Sequence, residues 1–233
     1  MTTKVRRIKK LIVMSVLCIG TNVSVLAQNM EAEIFVRPAL TYLRGNEVVK
    51  EYMGPAICPS AGIGLAIPLR NKAWISTGVM YDVKGGRDKR VFVLRDANNE
   101  PAGTDEVTTE NKFQYITVPL RWAFRFGSKI QYEVGAGVYG AFLVKARILT
   151  EGTRYSYKTD YTDSYKRADV GVSAAFKVLV PLNKNLELTA GVDDNLGVFD
   201  LILPDVKHQG SLKHNSLGIT IGLKYAFTDR NVN

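Results

Sequence analysis

Both histidines of the chain, His208 and His214, lie near residues that take part in hydrolytic chemistry. Ser211 lies between them, and a serine, a histidine and an aspartate can together form a nucleophilic triad. No nucleophile motif surrounds Ser211, however, and two histidines without a third ligand at a recognisable spacing do not predict a metal site. We therefore predict a protein that is not an enzyme and holds no metal or cofactor. The neighbouring aspartates are Asp193, Asp194, Asp200 and Asp205.

A second chemically distinctive set consists of charged residues that recur at alternate positions within otherwise apolar segments. Glycines are interleaved with them, which is unexpected for a face exposed to water but suits a narrow barrel interior that cannot hold a bulky side chain on every strand. Buried ions are costly unless they are paired and hydrogen-bonded. The pattern predicts an internal network of opposite charges. Its members are Arg37, Asp82, Lys84, Arg121, Arg125, Glu133, Lys177, Glu187, Asp193 and Lys224.

Eight segments with a period of two must position these charges, and that period is typical of β-strands. The final segment, 215–227, is the clearest, because large apolar residues from Leu217 to Phe227 alternate with small or polar residues from Ser216 to Ala226. Such a strand suits a membrane barrel with apolar side chains towards lipid and polar ones inside. The other segments are 34–42, 61–69, 74–84, 113–126, 130–145, 168–181 and 186–196.

The connections between these segments alternate strictly between long and short. Tight turns are predicted at 70–72, 127–129 and 183–185, and long polar loops at 43–60, 85–111, 147–166 and 197–213. With an even number of strands, all the short turns lie at one end. The pattern predicts an all-β, eight-stranded antiparallel up-and-down transmembrane β-barrel with short periplasmic turns and long extracellular loops. A soluble lipocalin-like barrel would instead point its apolar side chains inward.

A proline and a cysteine add two further expectations. Pro119 lies within the fourth segment and lacks the backbone N–H that a closed barrel needs there, so we predict a β-bulge at that position. Cys58 is the single cysteine of the chain after residue 27, which excludes an internal disulfide in the mature protein.

The N-terminus has the organisation of a secretory signal peptide. Five basic residues within 4–10 precede an apolar run at 11–19, and small residues precede Gln28. The run is too short for a membrane-spanning helix, which needs about 20 residues. We predict a signal peptide at 1–27 and a barrel domain at 28–233. Without these five residues, 26 of the 31 basic residues remain against 22 acidic ones, so the charge gives no reason to expect nucleic-acid binding.

Several motifs resemble those of PorT-like outer-membrane β-barrel proteins of Bacteroidetes. They are Tyr115-Ile116-Thr117-Val118-Pro119-Leu120, Arg167-Ala168-Asp169-Val170-Gly171, Asn195-Leu196-Gly197 and the ending Gly222-x-x-Tyr225-x-Phe227. The resemblance covers most of the mature chain. It implies location in the outer membrane and a role linked to protein secretion. Gly222, Tyr225 and Phe227 also resemble the signal that the barrel-assembly machinery recognises during insertion.

The functional hypothesis is a non-enzymatic, non-conducting barrel that acts through its extracellular loops as a structural or binding component. Tyrosine offers apolar area with a polar tip and suits binding surfaces. The candidate surface in the third loop consists of Tyr155, Tyr157, Tyr161 and Tyr165. The expected partners are outer-membrane lipid and secretion-system or envelope proteins, and the barrel itself is expected to be monomeric. The first alternative is a small-solute pore, and the second is an outer-membrane lipid- or peptide-hydrolysing enzyme.

Overall fold

The computed structural model describes residues 30–45, 53–70, 72–153, 155–203 and 211–227, and these residues form one antiparallel sheet. The predicted signal peptide, Asp205 and His208 lie outside the described residues. The strands are β1 (Glu31–Val36), β2 (Ala39–Gly45), β3 (Ala56–Cys58), β4 (Ser60–Pro68), β5 (Ala73–Arg95), β6 (Pro101–Gly127), β7 (Gln131–Glu151), β8 (Ser156–Asp160), β9 (Ala168–Pro181), β10 (Leu186–Gly197) and β11 (Leu212–Ala226), and a 3₁₀ turn occupies Thr162–Ser164.

The sheet closes on itself as a ring of eight barrel strands, as predicted. β1 pairs with both β4 and β11. β1 and β2 form one barrel strand, because Val36 pairs with Ile221 and Ala39 pairs with Gly218 in a continuous register along β11. In the same way, β3 and β4 form the second barrel strand opposite them. The remaining barrel strands are β5, β6, β7, β9, β10 and β11.

The two faces of the wall have the predicted polarity. Along β11 the apolar side chains from Leu217 to Tyr225 are exposed on the outside, and the alternate residues from Ser216 to Ala226 are buried inside. Large apolar side chains are likewise exposed on the outer face of the other barrel strands. An apolar outer surface of this extent is stable in lipid and not in water. Within the described chain, no helix has the length and apolar character needed to cross a bilayer.

The prediction of irregular loops at 85–111 and 147–166 was wrong for most of these residues. β5 continues to Arg95 and β6 begins at Pro101, while β7 continues to Glu151 and then pairs with β8. Beyond the barrel, side chains on both faces of β5 are exposed or half-exposed from Arg87 to Arg95, so the alternation of apolar and polar residues fades there although the backbone pairing continues. We call this four-stranded extension, residues 85–112 and 145–160, the extracellular arm.

The predicted bulge at Pro119 is absent. The register between β5 and β6 is the same on both sides of it, with Thr77 opposite Leu120 and Met80 opposite Thr117. The pairing is merely interrupted next to the proline, where Thr77 Oγ1 donates a hydrogen bond of 2.8 Å to the Pro119 carbonyl oxygen. The register shifts instead between β6 and β7 at Gln114 and Tyr115, close to the base of the arm.

Candidate functional site

The periplasmic third of the barrel interior is occupied by interlocked ion pairs. Arg125 lies 2.7 Å from a Glu133 oxygen and 2.8 Å from a Glu31 oxygen. Its guanidinium group stacks 3.7 Å above the Trp74 ring. Lys224 lies 3.6 Å from Glu133 and 3.7 Å from Glu31, so it shares both carboxylates with Arg125. Each carboxylate therefore faces two cations, which offsets the cost of removing these charges from water.

In the same part of the lumen, Lys177 forms a second ion pair. Its Nζ lies 2.6 Å from Glu33 Oε2, and Thr189 Oγ1 donates a 2.6 Å hydrogen bond to the other oxygen of Glu33. Glu187 is buried on the neighbouring part of β10. Short charge-assisted contacts on both oxygens fix the orientation of Glu33 across the lumen.

The Arg37 side chain lies at the centre of the barrel lumen. Its Nε donates a 2.6 Å hydrogen bond to Asp193, and two further groups donate to the side-chain and backbone oxygens of Ser216, each at 2.9 Å. Asp82 lies 3.6 Å from the same guanidinium group and accepts a 2.7 Å hydrogen bond from Ser60. The side chain reaches across the lumen because Gly218 leaves space, since a Cβ there would lie 2.4 Å from Arg37 Nε.

Arg121 connects this centre to the opposite wall. Its Nε donates a 2.7 Å hydrogen bond to Ser173 Oγ, which donates in turn to Asn195 Oδ1 at 2.6 Å. Its guanidinium group also lies 3.8 Å from Asp193. Because Arg37 and Arg121 share one carboxylate from opposite sides of the lumen, the middle of the barrel is spanned by side chains.

The outer third contains a buried group around Asp169. Lys84 Nζ lies 3.1 Å from Asp169 Oδ2, and the Tyr139 hydroxyl donates to the same oxygen at 3.2 Å. His214 is fully buried with its Nδ1 3.8 Å from that oxygen. Its ring packs edge-on against Phe113, with 4.7 Å between the ring centroids. The histidine is therefore an internal residue enclosed by aromatic and charged neighbours.

An apolar cluster covers this group at the extracellular mouth. The cluster is built by side chains from four barrel strands, and Met53, Tyr165 and Ile202 pack against it from the loops. Below it, a cavity of about 30 Å³ lies between Phe35, Met80 and Pro119, which is large enough to hold water. Side chains thus occupy most of the described interior. The cluster consists of Leu43, Phe113, Tyr115, Tyr139, Ala141, Leu143, Ala146 and Leu212.

The interior charges nearly balance, and three of them were missing from the predicted network. Glu31 and Glu33 continue the period of two backwards from Arg37 but precede the apolar start of the first predicted segment. Asp169 begins β9 on the same face as Ser173 and Lys177. Among the described residues, the buried barrel charges are six bases (Arg37, Lys84, Arg121, Arg125, Lys177, Lys224) and seven acids (Glu31, Glu33, Asp82, Glu133, Asp169, Glu187, Asp193).

Among the described residues, those weighed for a triad or a metal site are not assembled into one. His214 points into the closed lumen, while Ser211 lines a groove on the outside of the wall. Asp193 is engaged by Arg37, and Asp200 accepts hydrogen bonds from the backbone N–H groups of Ile202 and Leu212. Within the described residues, no group of three histidine, cysteine, aspartate or glutamate side chains could hold a metal ion.

The four loop tyrosines fall into separate environments. The Tyr155 and Tyr157 rings stack on the arm with centroids 6.2 Å apart and an interplanar angle of 17°. Both line a groove of about 260 Å³ together with Phe92 of β5, the strand at the opposite edge of the arm. Tyr161 is exposed beside the 3₁₀ turn, whereas Tyr165 packs against Phe113 in the apolar cluster. The structure thus brings together two of the four.

Polar contacts fix β8 and the floor of this groove. On the floor, Arg90 Nε lies 2.6 Å from Asp88. At the end of β8, hydrogen bonds from the Thr162 hydroxyl and backbone N–H, together with Lys145 at 3.2 Å, lower the pKa of Asp160 to about 2. Asp160 therefore stays ionised across the pH range of most natural environments, and its contact with Lys145 adds to the backbone pairing of β8 with β7.

The C-terminal motif lies on the last barrel strand. Tyr225 and Phe227 project outward near the periplasmic edge, with their rings edge-to-face at 5.6 Å. Gly222 faces the lumen, where a Cβ would lie 2.7 Å from the Ile34 carbonyl oxygen and 2.9 Å from Thr189 Oγ1. The assembly role of the motif stays a prediction. Cys58 is buried in the lumen wall, 3.3 Å from Thr41 Oγ1.

Comparison with solved structures gives similar barrels at low sequence identity. Neisserial surface protein A is 13% identical, with 84% of this chain and 96% of that chain covered at a TM-score of 0.44. Ail, the attachment invasion locus protein of Yersinia pestis, is 10% identical, with 83% and 97% covered at 0.39. OprG of Pseudomonas aeruginosa is 10% identical, with 86% and 95% covered at 0.39.

Sequence comparison identifies the family directly. No curated protein matches the chain significantly. Residues 17–202, however, match the family described as "Outer membrane protein beta-barrel domain", a span that begins within the predicted signal peptide and ends before β11. The narrower assignment to the PorT-like proteins stays a prediction. The chain belongs to the outer membrane protein β-barrel domain family and is a protein of the cell outer membrane.

Proposed function

We propose that this protein is a closed barrel that binds a polypeptide partner outside the cell through its extracellular arm. The observation that carries the proposal is the groove on the arm, where the stacked Tyr155 and Tyr157 face Phe92 above the Asp88–Arg90 pair. Aromatic side chains with a few polar groups at the floor are typical of surfaces that anchor a partner side chain.

The strand at one edge of the arm supports a polypeptide as the partner. Among the described residues, 91–95 of β5 pair only with β6, which leaves one side of the backbone there open to an added strand. Val91, Phe92 and Val93 are exposed consecutively there, with Val91 65% exposed. An exposed apolar edge of this kind is normally avoided unless a partner covers it.

The filled interior favours binding over the two alternatives. A small-solute pore needs a continuous path, whereas Arg37 and Arg121 bridge the lumen and an apolar cluster covers its mouth. A hydrolase needs a reachable nucleophile and base, whereas His214 is enclosed. We further propose that residues 1–27 direct export and that the barrel is monomeric. The barrel-assembly machinery recognises it during insertion. The PorT-like resemblance points to a secretion-system or envelope protein as the partner.

A closed barrel should not conduct. After insertion of the folded protein into a planar bilayer in concentrated potassium chloride, we expect no stable single-channel steps, because ion pairs and side chains fill the lumen. Folded insertion is verified by the altered gel migration of the unheated barrel. Regular, reproducible conductance steps from such a preparation would contradict the closed barrel and favour the pore.

Loss of the two stacked tyrosines should strongly reduce capture of the partner. We expect the Tyr155→Ser/Tyr157→Ser variant to retain its partner from envelope and secreted fractions at least about tenfold less well than the unaltered protein, since buried aromatic anchors dominate interfaces. Retained protein is quantified against input by mass spectrometry. Tyr161→Ser removes an exposed tyrosine outside the groove and should change nothing. Equal capture by all three proteins would contradict the proposed surface.

A further inference from the structure

A second groove lies on the outside of the barrel wall at the extracellular rim, away from the arm. It measures about 660 Å³, within the range of small-molecule sites. Its walls come from β2, from the start of β11 and from Met53 and Pro55 of the first loop. The groove contains two basic side chains, Arg44 and Lys213, above an apolar and aromatic surface formed by Leu40 and Tyr42.

The two basic residues are direct cross-strand neighbours, since Lys213 of β11 pairs with Arg44 of β2. Like charges directly opposite each other destabilise a sheet unless something offsets them. Among the described residues, neither has a carboxylate within 4 Å. Arg44 donates one 2.7 Å hydrogen bond, to the Gly197 carbonyl oxygen, and its buried Nε has no partner. Asp194 on β10 faces the same side of the wall and attracts Arg44 electrostatically, but it forms no ion pair within 4 Å with either base.

A second like-charge pair, at the base of the arm, shows the contrast. Lys112 of β6 lies opposite Arg147 of β7 on the outer face of the wall. There Glu110 lies 2.6 Å from Lys112, and Asp160 is the cross-strand neighbour of Arg147 on its other side. Local carboxylates thus offset the positive charges of the second pair. At Arg44 and Lys213 the described residues supply only the more distant Asp194, so the pair keeps a net positive charge that an anion can offset.

Along this part of the wall the side chains change from apolar to cationic in the same order as a lipid molecule changes from acyl chain to headgroup. The exposed pair Leu40 and Leu217 is followed upward by Tyr42, which hydrogen-bonds Asn215, and then by Arg44 and Lys213. Four residues of strand separate Leu40 from Arg44, roughly 13 Å along the chain. Apolar, aromatic and cationic levels therefore succeed one another from the hydrocarbon core to the headgroups.

We propose that this groove binds the phosphate group of an anionic lipid of the outer leaflet, with Arg44 and Lys213 on the phosphate and acyl chains along Leu40 and Leu217. A phosphate between the two bases would offset their repulsion and accept charge-assisted hydrogen bonds from both, including one from Arg44 Nε. A lipid suits the site better than a soluble anion because the lower wall of the groove is continuous with the lipid-facing surface. The site is independent of partner binding at the arm.

Native mass spectrometry of the folded, full-length barrel titrated with lipid A tests this proposal, with dephosphorylated lipid A as the comparison ligand. We expect lipid A to bind and Arg44→Gln/Lys213→Gln to weaken its binding about tenfold or more, since loss of even one charge-assisted hydrogen bond corresponds to that factor. The charge-preserving variant Arg44→Lys/Lys213→Arg should keep most of the affinity. Lys129→Gln/Lys184→Gln, which removes two exposed charges at the periplasmic turns, is the matched control and should bind as the unaltered protein does.

Three results would overturn the proposal. Equal binding of lipid A and its dephosphorylated form by the unaltered protein would exclude phosphate recognition, and this comparison needs no variant to fold. Equal weakening by the rim and turn variants would reduce the effect to general attraction between cations and anionic lipid. Inorganic phosphate that binds as tightly as lipid A would identify a soluble anion as the ligand.

Discussion

Replacing Arg37 by methionine is expected to lower the free energy of unfolding by about 3–5 kcal/mol, the usual cost of breaking a buried ion pair by removing one partner. Arg37 is 1% exposed and donates a 2.6 Å hydrogen bond to Asp193. Its guanidinium group also lies 3.6 Å from Asp82. Methionine would fill a similar volume but leave both carboxylates in the lumen without their shared cation, so the loss is electrostatic rather than a packing defect.

Urea unfolding in lipid vesicles, followed by the fluorescence of Trp74 and Trp122, measures this effect. Arg95→Met makes the same chemical change at an exposed position of the arm and should alter the free energy by less than about 0.5 kcal/mol. The double variant Arg37→Met/Asp193→Leu should be more stable than Arg37→Met alone, because a carboxylate left with only the more distant Arg121 is then removed as well. Similar small effects of the Arg37 and Arg95 substitutions would contradict the structural role of the internal network.

The barrel itself could be predicted because two of its features leave simple patterns in the sequence. A wall with lipid outside and a filled lumen inside forces strict alternation, as along β11, and hairpins with short periplasmic turns force the alternating lengths of the connections. Strand β9, Ala168–Pro181, has the bounds that the pattern predicts. Above the membrane this constraint ends. From Arg87 to Arg95 side chains on both faces of β5 are exposed or half-exposed, so their alternation fades although their backbone pairing continues.

The partners within the lumen could not be read from the sequence for a different reason. The period of two shows which face a charge occupies, but contact across a barrel depends on the stagger of all the strands between the two residues. Arg37 and Asp193 are 156 positions apart and meet only because the ring closes in one register. The tyrosines illustrate the same limit, since Tyr157 faces the arm groove while Tyr165 enters the apolar cluster.

Introducing arginine at Ile221 is expected to destabilise the protein in a bilayer by about 2–4 kcal/mol, the cost of a lipid-facing arginine at the membrane midplane of a β-barrel. Ile221 is 50% exposed on the outer face of β11 and lies midway between Asn215 near the outer rim and Phe227 near the periplasmic edge. Its neighbours on that face, Ile219 and Leu223, are equally apolar and exposed. The long side chain must then reach the headgroups or draw water into the hydrocarbon.

A variant at the membrane edge distinguishes this cost from a general penalty for replacing an apolar residue with arginine. Leu182→Arg places the same charge at the tight turn between β9 and β10, where the side chain is 54% exposed at the membrane edge, and should cost only about 0–1 kcal/mol. Both variants are compared with the unaltered protein by urea unfolding in vesicles. A water-facing Ile221 would accept arginine without loss, so equal stability of the two variants would show that the apolar face does not meet lipid. A cost at Ile221 alone would show that the outer face of β11 meets the hydrocarbon of the bilayer.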